Sequence, residues 1–192
     1  MRQPHPHRFP LLLPAALAAL VAFVSCSTRQ PETTTSTTTA AVMTAVERGK
    51  YLVTVSGCNE CHTPGAPFGA PDFARTLSGS ELGWSGPWGV TYASNLTPDM
   101  ETGLGAWTDA DIERALRSGI KRDGTAVGPP MPWPEFAQYT PDDMAAVIAY
   151  LRSLPAVPHK NPARVMPGQK ATGSIVTLPA PSLWDVPPPP KK

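Results

Sequence analysis

The chain is poor in the residues that mark most functional classes. Its 192 residues include only three cysteines and four histidines, with 16% charged and 7% aromatic residues. Sixteen Lys and Arg against fifteen Asp and Glu leave a net charge of +1. No basic field of the kind that attracts a polyanion follows, and no nucleic acid partner is expected. The one long apolar run, Leu11 to Val24, is too short to read as a spanning helix, and Pro10 and Pro14 weaken that reading further. What the chain has in excess is proline and glycine, 25 and 15 residues respectively. That excess predicts short helices joined by long loops, with little sheet.

Cys58-Asn59-Glu60-Cys61-His62 stands out from this background. Two cysteines three positions apart with a histidine directly after form the attachment signature of a c-type haem. Each thiol adds across one haem vinyl group, and the short spacing lays one porphyrin edge against the chain. Cys58 and Cys61 are the predicted thioether residues. His62 then sits beneath the ring as the fifth iron ligand. Two other readings compete. A structural zinc site needs four Cys or His ligands. Cys26 belongs to the N-terminal segment, so zinc would require His62 and His159 to converge with the pair. A dithiol redox pair belongs between a hydrophobic strand and a helix, and no such strand is evident. One covalently attached haem c is the expected cofactor.

Residues 1–26 read as an export signal, with Arg2 and Arg8 ahead of the apolar run. Its end, Phe23-Val24-Ser25-Cys26, resembles a bacterial lipobox, although that family usually has Leu where Phe23 stands. Cys26 is thus a candidate lipidation site and membrane anchor, with ordinary signal cleavage as the alternative. The expected location is the periplasmic side of the membrane, as a lipoprotein or as a soluble periplasmic protein. Residues 27–42 form a Thr-rich linker, with six threonines and one serine in 33–39. It offers no apolar face to bury and is expected to be flexible.

Residues 43–158 are the predicted domain. Val42, Val46, Gly49 and Val53, widened by Tyr51 and Leu52, predict a helix over 44–57. Gly49 costs about 1 kcal/mol in a helix interior, which implies the close approach of another helix. From Thr63 to Thr91 no period holds and a loop is expected. Its aromatics Phe68, Phe73, Trp84 and Trp88 are candidates to pack against a haem face, and the two indole N–H groups are candidate donors to a propionate. Thr108 caps a helix whose inner face is Ile112, Ala115 and Leu116 and which ends at Gly119. Thr140 and Pro141 start the last helix, with Met144, Val147, Ile148, Leu151 and Leu154 as its apolar stripe. Residues 159–192 read as a Pro-rich extension. In it Ile175, Val176, Leu178, Leu183 and Trp184 are apolar enough to strap the domain, while 187–192 are expected to be disordered.

Asn95-Leu96-Thr97-Pro98-Asp99, with Thr102-Gly103-Leu104-Gly105-Ala106-Trp107, resembles a run in class I c-type cytochromes. It is most similar to the cytochrome c modules of bacterial membrane-bound alcohol and gluconate dehydrogenase cytochrome subunits. The likeness covers about Glu47 to Leu154 and includes the haem motif. It implies an all-α domain, with three or more short helices around one haem and the terminal helices crossing near Gly49. Those subunits usually carry two or three haem motifs, whereas this sequence has one, which favours a single-haem carrier.

The sixth ligand is sought among the methionines. Gly128-Pro129-Pro130-Met131-Pro132-Trp133-Pro134 fixes an extended loop able to hold a thioether in place. The family's axial methionine is likewise followed by proline and an aromatic, so the resemblance also points to Met131. Met144 belongs to a helix face and reads as core, while Met1, Met43, Met100 and Met166 lie in the signal, before the first helix, in an exposed turn and in the tail. His159 is the competing ligand. The expected function is one-electron transfer, without catalysis by the chain itself, between a periplasmic or membrane dehydrogenase and a respiratory acceptor. The alternative is a haem enzyme or gas sensor with an open sixth position.

Overall fold

The computed structural model describes residues 43–178. The expected export signal (1–26) and linker (27–42), with Cys26 and Val42, lie outside the described residues, as do Leu183, Trp184 and 187–192. Helix α1 spans Ala45–Val55. Thr44 starts it with a reciprocal cap: its hydroxyl accepts from the Glu47 N–H at 3.2 Å, and the Glu47 carboxylate accepts from the Thr44 N–H at 2.9 Å. Gly57, at φ 69°, takes a left-handed turn that separates α1 from the short helix α2, Cys58–His62. Two single 3-10 turns follow, at Ala66–Phe68 and Phe73–Arg75.

Helix α3, Asp109–Ser118, begins at a Thr108–Asp111 cap of the same kind and ends at Gly119. Helix α5, Pro141–Ser153, is capped by the Thr140 hydroxyl. Between them lies one turn of helix, α4, Trp133–Phe136. Arg117 ties α3 to the chain after α4 by donating to the Ala137 and Tyr139 carbonyls at 3.1 and 3.0 Å. Among the described residues no helix is long and apolar enough to cross a membrane.

The core forms where α1, α3 and α5 meet. Leu52 and Val53 from α1, Ile112 from α3, and Met144, Val147, Ile148 and Leu151 from α5 are buried together with Leu77 and Leu104. Met144 is 1% exposed, which makes it a core residue as expected. The inner face of α1 is Gly49, Leu52 and Val53. Val46 and Tyr51, read as part of that face, are 40% and 55% exposed. The expected close crossing at Gly49 is present. A Cβ built there would lie 1.9 Å from the Ala146 carbonyl oxygen and 2.7 Å from the Tyr150 Cβ, so the two backbones touch with no room for a side chain.

The expectation of an all-α domain is corrected by a small sheet. Strands β1, Gly83–Gly86, and β2, Gly89–Tyr92, form an antiparallel hairpin within the stretch expected to be loop, with Trp84 opposite Thr91 and Ser85 opposite Val90. Strand β3, Ile175–Thr177, adds in parallel to the other edge of β1, giving the order β2-β1-β3. The Leu178 N–H donates to the Ser85 carbonyl at 2.7 Å. Strands of four and three residues are too short to show an alternation in sequence, and two of the four residues of β1 are glycine. The C-terminal stretch thus straps the hairpin by backbone pairing, and its side chains at 175–177 remain exposed.

Gly49→Ala is expected to lower stability by about 1–3 kcal/mol, because the added methyl forces α1 and α5 apart. Thermal unfolding checks this, and an unchanged melting temperature would contradict the crossing. The carboxylates of Glu47, Asp111 and Asp143 are held below their ordinary range, the first two by the N–H of the capping threonine and the third by the Arg48 guanidinium. A carboxylate whose folded pKa is depressed stabilises the fold above its unfolded value, and that contribution is lost as pH falls. The melting temperature is therefore expected to drop below about pH 4, with a shallower slope in Glu47→Gln and Asp111→Asn.

Candidate haem site

Helix α2 carries the whole attachment motif. Cys58 and Cys61 lie one turn apart, are half-buried, and form no disulfide. Burial pushes the Cys58 thiol up to about 11. The Cys61 thiol is also raised, by burial first and then by the Glu60 charge. Both are therefore thiols at neutral pH, whereas a dithiol redox pair needs one cysteine with a lowered pKa. Among the described residues no group of three or more His, Cys, Asp and Glu side chains converges as an ion site, so the four-ligand zinc arrangement is not assembled.

His62 is 8% exposed and follows directly on Cys61. Its Nδ1 lies 2.7 Å from the Ser94 carbonyl oxygen. A carbonyl can only accept, so Nδ1 carries the proton and Nε2 is left as the free lone pair. Second-shell bonding of this kind fixes the tautomer and ring orientation of a ligating histidine. Burial lowers the His62 pKa, against the opposing pull of the Ser94 carbonyl, and so favours the neutral, ligating form. The backbone around it is pinned as well. The Gly79 N–H donates to the His62 carbonyl at 2.6 Å, and the Leu77 N–H donates to the Thr63 hydroxyl at 3.1 Å.

Ser94 is held by its neighbour. Asn95, 2% exposed, donates through Nδ2 to the Thr102 hydroxyl at 3.0 Å and to the Val157 carbonyl at 2.8 Å. Its Oδ1 accepts from the Thr97 N–H and hydroxyl at 2.9 and 2.7 Å. The Asp99 carboxylate accepts from the Thr102 N–H and hydroxyl, both at 2.7 Å. The polar run around Asn95-Leu96-Thr97-Pro98-Asp99 is thus a buried brace for the segment that orients His62.

Met131 is half-buried, in the loop between Gly128 and α4. Behind that loop, Phe136 stacks on Tyr139 at 5.9 Å between ring centroids, and the Tyr139 hydroxyl bonds the Ser56 hydroxyl next to the attachment motif. His159 is engaged elsewhere: Nδ1 lies 3.0 Å from the Ser78 carbonyl, and Nε2 lies 2.8 Å from the Glu81 carboxylate. The Trp88 indole N–H donates to the Trp84 carbonyl at 3.3 Å, so it is not free for a propionate. Phe68 and Phe73 are 62% and 79% exposed. Sequence reading missed Ser94. Ser94 acts through a backbone oxygen, and its position just before Asn95 is the only trace it leaves.

Two unpaired thiols and a tautomer-fixed histidine on one short helix define a domain suited to covalent haem attachment. The cytochrome c family model matches residues 46–155, and the chain belongs to that family. A cytochrome c domain implies a covalently held haem c and haem-based electron transfer. The chain is 40% identical over 107 residues to the cytochrome c subunit of the quinone alcohol dehydrogenase of Gluconobacter oxydans (strain 621H), covering 55% of this chain and 20% of that protein. It is 35% identical over 107 residues to the gluconate 2-dehydrogenase cytochrome c subunit of Pantoea cypripedii, covering 55% and 22%. It is 33% identical over 108 residues to a diheme cytochrome c-type protein of Cereibacter sphaeroides, covering 56% and 36%. The chain thus spans about a fifth of the length of the two dehydrogenase subunits.

Cys58→Ala and Cys61→Ala are each expected to leave a single thioether, seen as a red-shifted band of the reduced pyridine complex. The double variant is expected to lose haem staining on a denaturing gel. Retention of stain there would mean that attachment uses other residues.

Proposed function

We propose that this protein is an exported cytochrome c with a single haem, which passes one electron at a time from a periplasmic or membrane dehydrogenase to a respiratory acceptor. Cys58 and Cys61 would hold the haem, and His62 and Met131 would be its axial ligands. The bound haem supplies the redox chemistry, alternating between ferric and ferrous iron. The chain's residues do the rest. His62, neutral and aimed by the Ser94 carbonyl, would offer Nε2 to the iron, and Met131 would offer a neutral thioether, which favours a higher potential than a second histidine. With both residues bound to the iron, no position would be left for a substrate.

The observation that carries this reading is the His62–Ser94 bond directly after the two free thiols. The single C-x-x-C-H motif in the sequence supports one haem. A dehydrogenase as electron donor is supported by the relatives that are cytochrome c subunits of alcohol and gluconate dehydrogenases. The N-terminal signal reading supports a periplasmic location, with Cys26 as a lipid anchor to the membrane, and the apolar stretch ending in Cys26 is its basis.

The test is an absorption spectrum of the purified, exported protein, oxidised, reduced and then exposed to carbon monoxide. The weak red-edge charge-transfer band of a methionine–ferric iron bond is expected in the wild type and lost in Met131→Ala. No carbon monoxide binding is expected in the wild type. Rapid binding would instead mean an open sixth position and a haem enzyme or gas sensor. Met131→His is expected to lower the reduction potential, measured by spectroelectrochemical titration.

A further inference from the structure

One short segment touches the loops of both proposed axial ligands. Thr91 in β2 is 8% exposed and sits opposite Trp84. Its hydroxyl bonds the Pro129 carbonyl, two residues before Met131, with the Trp84 carbonyl a more distant acceptor at 3.4 Å. Its methyl lies against Gly128. A Cβ at position 128 would fall 2.3 Å from the Thr91 Cγ2. Three residues further on, the Ser94 carbonyl orients His62.

The prolines stiffen the loop, and the Trp133 N–H donates to the Met131 carbonyl at 3.0 Å, but neither ties the Gly128–Pro130 stretch to the rest of the domain. Pro129 and Pro130 carry no N–H, and the bond from the Met131 N–H to the Gly128 carbonyl is long, at 3.3 Å. An anchor from outside the loop is needed, and Thr91 supplies one. That strand is itself held on two sides. β1 pairs with it, and Val90 exchanges two backbone bonds with Val165, at 2.8 and 2.9 Å.

We infer that Thr91 is a positioning residue for Met131: its hydroxyl and methyl fix the Gly128–Pro130 backbone so that the thioether stays on the iron. The inference rests on Met131 being the sixth ligand. A thioether binds ferric iron weakly enough that an added imidazole competes for the same position, so the anchoring of the loop is read directly as imidazole affinity.

The experiment uses the full haem-loaded chain and compares the wild type with Thr91→Val, Thr91→Ser and Met131→Ala. Thr91→Val keeps the shape and removes the donor. It is expected to bind imidazole about three- to tenfold more tightly in the oxidised form and to weaken the charge-transfer band, while Thr91→Ser stays close to wild type. Wild-type affinity in Thr91→Val overturns the inference, and so does an equal shift in Thr91→Ser, which would mean that the hydroxyl is not what acts. If Thr91→Val does not accumulate, Gly128→Ala pushes the loop off an intact Thr91 and must raise imidazole affinity in the same direction. Thermal unfolding run alongside separates a general loss of stability from loosening of the loop. A charge-transfer band that is absent from the wild type, or kept in Met131→Ala, shows that Met131 is not the ligand. That result removes the inference together with the reading beneath it, whereas a band lost in Met131→Ala with Thr91→Val unchanged removes the inference alone.

Discussion

Asn95 uses both ends of its amide in the protein interior. Two donors and one doubly used acceptor join three separate stretches of chain: its own turn, the Thr102 turn, and the exit from α5 at Val157. A buried amide left unbonded costs a large desolvation penalty, so this arrangement is close to all-or-none. Its consequence lies one residue away. Asn95, with the backbone bonds of Ala93 and Leu96 on either side, fixes the Ser94 carbonyl, and that carbonyl decides which nitrogen of His62 is free. The orientation of the imidazole proposed to hold the iron therefore rests in part on a side chain that makes no hydrogen bond to it.

Helix packing provides the frame in which that network sits. α1 and α5 meet backbone to backbone at Gly49 and Ala146, and Met144, Val147 and Leu151 close over Leu52 and Val53. Arg152, at the end of α5, donates to the Leu104 carbonyl at 2.8 Å and pairs with Asp109 at the start of α3. One helix thus fixes the approach of α1, from which the attachment motif hangs, and the loop that follows the Asn95 brace.

The parts of this fold that were legible in sequence are those governed by local chemistry. Thr108 and Thr140 mark two helix starts because a hydroxyl there meets otherwise unpaired N–H groups. Gly49 signalled a helix crossing because only a close backbone contact justifies its cost. The attachment motif was legible for the same reason, since its spacing is dictated by the porphyrin. What escaped was set by distant partners. Gly-Trp-Ser-Gly carries no strand signature, and β1 exists because Val90 and Val176 flank it in space. Val46 and Tyr51 fit the helical period but face outward, since the seam with α5 is narrow. Ser94 contributes a backbone atom, for which no side-chain pattern exists.

Strand β3 pairs residues near 175 with residues near 83, and Val165 pairs with Val90, so both contacts close very long loops. Contacts between residues so far apart in sequence carry a large closure entropy. The thiols on α2, by contrast, depend on neighbours in the same short stretch. Presenting the cysteines therefore asks only for local structure, whereas the hairpin they precede is bordered by chain that returns from more than seventy residues away.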